Sequence, residues 1–237
     1  IYIPPDRLVF LLTHSCQLRC KYCRVRKFSA SMDKSVLFKG IDLLLTSNAD
    51  ELQIQFFGGE PLLNYELLKK GVEYASKANL NNRKAISFLL TTNGIELTKE
   101  KVDFLRKHDF TVEFSIDGEV KSQLYSRKSN NGTNYYSKML DNFSYLKKAR
   151  LPYYSISVFM PENVSSMFDN FIFLVNAGFE RLQINYALGV FWDKKASNML
   201  FTQTKRVMDF VRKHKNIEFI NLSTMRKEPV ALNAELT

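Results

Sequence analysis

Blocks of apolar residues alternate along this chain with blocks of helical periodicity. RLVFLL (7–12) is a continuous apolar run of strand length. DKSVLFKGIDLLL (33–45) has apolar residues at 36, 37, 41, 44 and 45, the spacing of one helix face, with Asp33 placed to cap it. The alternation continues with a strand at 51–57 that ends at Gly58-Gly59, then a helix at 64–78 with Asn64 as its cap. A strand at 85–94 leads to a helix at 98–108 opened by Thr98, and a strand at 110–118 leads to a helix at 135–149. The last two pairs are a strand at 153–160 with a helix at 162–178 that stops at a glycine, and a strand at 180–188 with a helix at 202–214. Six strands, each followed by a helix, predict parallel strands joined by right-handed crossovers. Six units fall short of the eight that close a barrel. The expected fold is therefore α/β, a partial (βα)6 TIM-like barrel with outer helices, and a doubly wound open sheet is the second choice. The longest polar connection, 119–134, contains SRKSNNGTN and reads as a flexible loop, not a phosphate cradle.

Composition adds boundaries to this picture. The chain has 237 residues, 45% of them hydrophobic, enough for one large domain with a substantial core. No apolar run approaches the roughly 20 residues of a membrane span, and the first residues do not form a signal peptide. The expectation is a cytoplasmic protein without membrane contact. With 34 Lys and Arg against 24 Asp and Glu, the net charge is +10. The lysines are spread along the whole chain, which reads as a solvated surface and makes a nucleic-acid partner the weaker reading.

Unusual chemistry follows the strands. After the first come all three cysteines, Cys16, Cys20 and Cys23; after the second GGEP (58–61); after the third TTNG (91–94); the fourth ends in SIDG (115–118). In parallel α/β folds, sites form at the carboxyl ends of strands, so these four segments should meet at one rim. An odd number of cysteines so close together speaks against a disulfide framework. Three thiolates on one loop can hold zinc, with His14 as the nearest fourth ligand, or an iron–sulfur cluster with one iron left open.

Cys-x3-Cys-x2-Cys with Tyr22 before the last cysteine, followed in order by FFGGEP, TTNG and SIDG, resembles the radical S-adenosylmethionine (SAM) superfamily across essentially the whole chain. Within it, the pattern is most similar to the SPASM/twitch branch of anaerobic sulfatase-maturating enzymes and ribosomal-peptide maturases. The molybdenum-cofactor cyclases are the second choice.

The resemblance implies that Cys16, Cys20 and Cys23 bind three irons of a 4Fe–4S cluster and that SAM chelates the fourth. One-electron reduction of SAM would then give a 5′-deoxyadenosyl radical for hydrogen abstraction. It also implies that Gly58, Gly59 and Glu60 hold the SAM amino group, that Ser115 bonds the ribose and that Arg127 pairs with the carboxylate. Tyr22 and Leu188 would offer backbone atoms near adenine, with plain packing as the default for Leu188. Asn93 would bond ligand or substrate, or else serve as a left-handed turn residue. His14 reads as a packing or supporting residue, and no catalytic acid or base is assigned.

The implied partners are a peptide or protein substrate and an electron donor such as flavodoxin or ferredoxin. A zinc-stabilised binding protein and a catalytically dead scaffold of the same fold are the competing classes. Residues 1–228 read as the core. The stretch from Pro229 to Thr237 reads as the start of a C-terminal extension.

Overall fold

The computed structural model describes residues 4–223, so the expected extension at 229–237 lies outside the described residues. The chain divides into two compact units, one reaching to Ile116 and including Gln123–Tyr153, the other holding Asp117–Ser122 and the residues from Tyr154 onward.

In the first unit, strands β1 (Arg7–Leu11), β3 (Glu51–Phe57), β4 (Ala85–Thr92) and β5 (Phe110–Ser115) lie side by side in that order, all parallel. Parallel neighbours need crossovers. These are α1 (Lys34–Leu45), α2 (Tyr65–Ala78) and α3 (Lys99–Lys107), with α5 (Tyr136–Ala149) following β5. Asp33 caps α1 by accepting from Ser35 N at 2.7 Å, and Thr98 caps α3. Alternate residues of each strand point to opposite faces. The helix-side face carries Phe10, Phe56, Phe88 and Phe110, whose rings sit 5.1 to 6.4 Å apart. Against them lie Leu37, Ile41, Leu68 and Val72, all fully buried. Each such side chain contributes on the order of 1.5–3 kcal/mol by leaving water.

The opposite face is mixed, with Val9 and Leu89 beside a polar row. Arg7 donates to Gln55, Gln55 Nε2 to Thr91 Oγ1 (2.8 Å), and Thr91 Oγ1 to Glu113 Oε1 (3.0 Å). These bonds all run in one direction across four strands.

The second unit has β7 (Tyr153–Phe159), β8 (Arg181–Tyr186) and a two-residue β9 (Glu218–Phe219), again parallel and in sequence order. Helices α6 (Met167–Ala177) and α7 (Lys194–Lys213) follow β7 and β8, and α8 (Ile220–Ser223) follows β9. Gly178 ends α6 in the left-handed conformation, φ 103°, as its position after the apolar stripe predicts.

Several expected boundaries move. Asn64 does not cap α2; it closes a 3₁₀ turn (Pro61–Asn64), and its Nδ2 donates to Leu12 O at 3.1 Å. Helix α6 begins five residues later than expected, because 164–166 form a 3₁₀ turn. Helix α7 begins eight residues earlier, capped by Asp193 accepting from Ala196 N at 2.7 Å. Its first two turns bury little besides Ala196, so no apolar period marked them. The polar connection after β5 is not a flexible loop. It contains α4 (Val120–Ser126) and β6 (Arg127–Ser129), and β6 pairs antiparallel with β2 (Leu18–Cys20).

Candidate functional site

The cysteine loop, the GGEP turn, the TTNG strand end, Ser115 and Arg127 all belong to the first unit. The cysteine loop leaves the carboxyl end of β1 and is laced down at several points. Thr13 Oγ1 donates to Ala30 O and His14 N donates to Ala30 O, so the loop's entrance and exit are pinned together. Cys23 N donates to Cys20 O at 3.1 Å, a tight turn that brings the last two cysteines close. Asn130 Nδ2 donates to Cys16 O, and Asn130 N to Gln17 O.

The GGEP turn lies directly against this loop. Gly59 N donates to Thr13 O at 2.6 Å and Glu60 N to Ser15 O at 2.8 Å. A Cβ on Gly59 would stand 2.1 Å from Ser15 O, and one on Gly58 would stand 2.6 Å from Thr13 O. The two glycines are therefore required by the approach of one backbone to another, before any ligand is considered.

Glu60 is wholly buried. Its Oε1 accepts from Leu62 N (3.1 Å) and from Thr92 Oγ1 (2.8 Å), and its Oε2 accepts from Asn93 N (2.8 Å). The carboxylate thus clamps the GGEP turn to the end of β4. Burial raises its pKa to about 7, although these donors pull the other way.

Asn93 does not take the left-handed conformation; Gly94 does, with φ 78°. Asn93 Oδ1 accepts from Ile95 N, while Nδ2 approaches Gln17 Oε1 (3.4 Å) and Cys16 Sγ (3.8 Å). Leu18 N also donates to Cys16 Sγ, at 3.4 Å. Burial pushes the Cys16 thiol above its usual range, partly offset by that backbone donor.

Arg127 lies opposite Cys20 in the β2–β6 ribbon. It is buried, with its guanidinium carbon 5.4 Å from the centre of the Tyr22 ring. Its backbone oxygen accepts from Tyr135 Oη at 2.6 Å. Ser115 closes β5 and is buried there. Leu188 lies in the second unit, two residues beyond the end of β8, and is 65% exposed. The expectation that it packs at a strand end is thus corrected: β8 stops at Tyr186, and the turn carries Leu188 outward.

Sequence reasoning missed Thr13, Thr92 and Asn130, which hold the site's segments together. Only a hydroxyl or amide beside a motif hinted at them. His14 supports the loop, as expected. Its Nδ1 lies 2.9 Å from Arg26 O, and its ring stacks on Phe28 at 4.1 Å.

The residues present suit a thiolate-held cluster with a zwitterionic ligand. Three cysteines share one braced loop, and the Nε atom of the buried Arg127 makes no hydrogen bond among the described residues. Among the described residues, no three His, Cys, Asp or Glu side chains crowd together as the ligands of a single ion do. Irons at the corners of a cubane, by contrast, each take their own thiolate.

Fold and site together define an α/β protein of parallel strands that gathers thiols, a Gly-Gly turn and a buried arginine at its strand ends. The Radical SAM superfamily matches residues 10–175, well over half the sequence, and the chain belongs to that superfamily. It is 29% identical to the uncharacterised protein MJ0907 of Methanocaldococcus jannaschii over 75% of this chain and 61% of that one. It is 23% identical to the cysteine-type anaerobic sulfatase-maturating enzyme of Clostridium novyi, over 84% of this chain and 55% of that one. The solved structure of native anSMEcpe with bound AdoMet and Cp18Cys peptide superimposes with a TM-score of 0.79 at 23% identity, covering 90% of this chain and 62% of that one. The chain therefore spans less than two thirds of these relatives' length. The expected α/β class of the partial (βα)6 barrel stands. Among the described residues, no helix is long and apolar enough to cross a membrane.

Proposed function

We propose that this chain carries the core of an enzyme that cleaves SAM reductively and uses the product to modify a peptide or protein side chain. The carrying observation is the bracing of the three-cysteine loop against GGEP, TTNG and the Arg127 strand within one unit. Cys16, Cys20 and Cys23 would hold a 4Fe–4S cluster, whose chemistry when bound would be one-electron reductive cleavage of SAM.

The chain's own residues bind and orient. Arg127, held beside Cys20 by the β2–β6 ribbon, takes the SAM carboxylate through its fork of donors. Ser115 offers its hydroxyl to the ribose. Backbone carbonyls of Gly58, Gly59 and Glu60 face the amino group, while the Glu60 carboxylate keeps that turn in place. Asn93 orders Cys16 and Gln17 beside them, and Tyr22 lends backbone atoms to adenine. The polar row from Arg7 to Glu113 suits a hydrogen-bonding substrate such as a peptide. The likeness to a sulfatase-maturating enzyme and to a peptide-bound structure supports the same substrate class. The one-electron donor is a flavodoxin or ferredoxin.

The test is anaerobic reconstitution with iron and sulfide, then incubation with SAM, reductant and candidate peptides, read by mass spectrometry. About four irons per chain and release of 5′-deoxyadenosine are expected. Zinc uptake without SAM cleavage would return the chain to the class of binding proteins.

A further inference from the structure

The β2–β6 ribbon has two faces, and only one is used by the site. Side chains alternate across a strand. Cys20 and its partner Arg127 share one face. The next pair in register, Arg19 opposite Lys128, shares the other, and both residues are exposed. Like charges directly opposite each other in an antiparallel pair repel. Neither has an ion-pair partner among the described residues. The surroundings offer no relief in sequence, since between Asp6 and Asp33 there is no carboxylate, while Arg7, Arg19, Lys21, Arg24, Arg26 and Lys27 all fall in that interval. The even spread of lysines along the chain concealed this gap in the acids. Beside the pair, Lys21 Nζ sits 3.2 Å from the centre of the Tyr125 ring, which is 40% exposed. Glu96 does reach Gln17, beside the start of β2, at 3.3 Å, but it is paired with Lys138; an exposed aromatic among cations in surplus over acids is the make-up of an interface for an anion.

We propose that the outer face of the ribbon, centred on Arg19, Lys21, Tyr125 and Lys128, is the docking surface for a small acidic protein that carries single electrons. This rests on the function proposed above. An electron carrier seated there is separated from Cys20 by the thickness of one strand, because Arg19 and Cys20 are adjacent residues on opposite faces. The carrier loses one electron and the cluster gains one, with no bond made or broken. Steering by unlike charge is what a transient redox encounter needs, since it speeds association without requiring a large interface.

The test uses the reconstituted protein and two reductants of opposite charge: flavodoxin hydroquinone, which is acidic, and the methyl viologen radical cation. Binding of oxidised flavodoxin is measured in parallel by calorimetry. For the wild type, the second-order rate of cluster reduction by flavodoxin should fall about tenfold between low and roughly 0.5 M salt. The R19E/K128E protein should lose about tenfold in that rate and in flavodoxin affinity at low salt. Its reduction by methyl viologen, and SAM cleavage driven by it, should stay within about twofold of wild type. The neutral R19Q/K128Q protein should fall between the two, and the wild-type salt dependence needs no variant at all. Unchanged flavodoxin rate and affinity in both variants overturns the proposal, as does an equal loss with both reductants. Retention of single-stranded RNA by wild type but not by R19E/K128E, with flavodoxin binding intact, assigns the surface to nucleic acid and also overturns it. A protein that cleaves no SAM with methyl viologen strikes at the function proposed above, while the calorimetry still decides the docking surface.

Discussion

Glu60 is fully buried yet accepts three hydrogen bonds, and this conflict should be visible in the pH dependence of folding. Its pKa rises from 4.5 to about 7 on folding, because lost hydration outweighs the donors Asn93 N, Thr92 Oγ1 and Leu62 N. Nearby, Lys101 favours the charged form, and Cys16 lies close enough to feel the carboxylate. A carboxyl group whose pKa is raised in the fold binds its proton more tightly there than in the unfolded chain. Its contribution is therefore fully favourable below the unfolded value of 4.5 and is lost as pH rises toward 7. A tenfold change in proton affinity corresponds to about 1.4 kcal/mol, so the loss across this window is roughly 3 kcal/mol.

Glu60→Gln removes the titration while keeping most of the volume and one accepting oxygen. Its amide nitrogen must face one of the donors, so the variant should be less stable at pH 5 by about 1–3 kcal/mol. The difference should move in favour of the variant by roughly 2.5 kcal/mol between pH 5 and pH 8, closing or reversing that deficit, because at pH 8 the wild type alone carries a buried charge. Urea denaturation of the iron-free proteins at intervals from pH 5 to 8 measures the difference, in which carboxyl groups elsewhere cancel. A difference that stays constant within about 0.5 kcal/mol would mean that the three donors keep Glu60 ionised throughout. The assignment of burial as the dominant effect would then be wrong.

Cys20→Ala should abolish cluster assembly, read as iron content after anaerobic reconstitution, because one iron loses its thiolate; full iron with normal SAM cleavage would remove Cys20 from the ligand set. Arg127→Ala should weaken SAM binding by on the order of 1.5–3 kcal/mol while leaving iron content largely intact, as measured by calorimetry on the reconstituted protein. Gly59→Ala should destabilise the fold and impair cluster uptake even with no SAM present. Its Cβ would stand 2.1 Å from a backbone oxygen that cannot rotate away. Normal melting and iron content in this variant would show that the GGEP turn does not need its close approach to the loop.

What the sequence disclosed, and what it withheld, follow from how far each signal reaches along the chain. Strands such as 51–57 and caps such as Asp33 and Thr98 are written in neighbouring residues, and the structure places them as read. The meeting of the cysteine loop, GGEP and TTNG was also legible, because parallel topology sends the carboxyl ends of neighbouring strands to one rim. The β2–β6 ribbon was not. Its strands are three residues each, and it pairs residues more than a hundred positions apart, too short and too distant for any periodicity. Arg127, expected on a polar loop as the partner of the SAM carboxylate, is therefore found as a buried strand residue opposite a cysteine.

The same limit explains Glu60. A carboxylate in a Gly-Gly turn suggests a ligand contact, and only the positions of Thr92 and Asn93 reveal that both its oxygens are already occupied. Gly59 likewise suggested room for a ligand, when the nearest obstacle to a side chain is Ser15 O. In each case part of the residue's work is to hold another segment of the chain. A site that must grip a labile cluster through one loop needs that loop fixed from outside itself. The fixing groups come from strands that sequence order keeps far away: Glu60 through Asn93, Asn130 on Cys16, and β6 along Cys20.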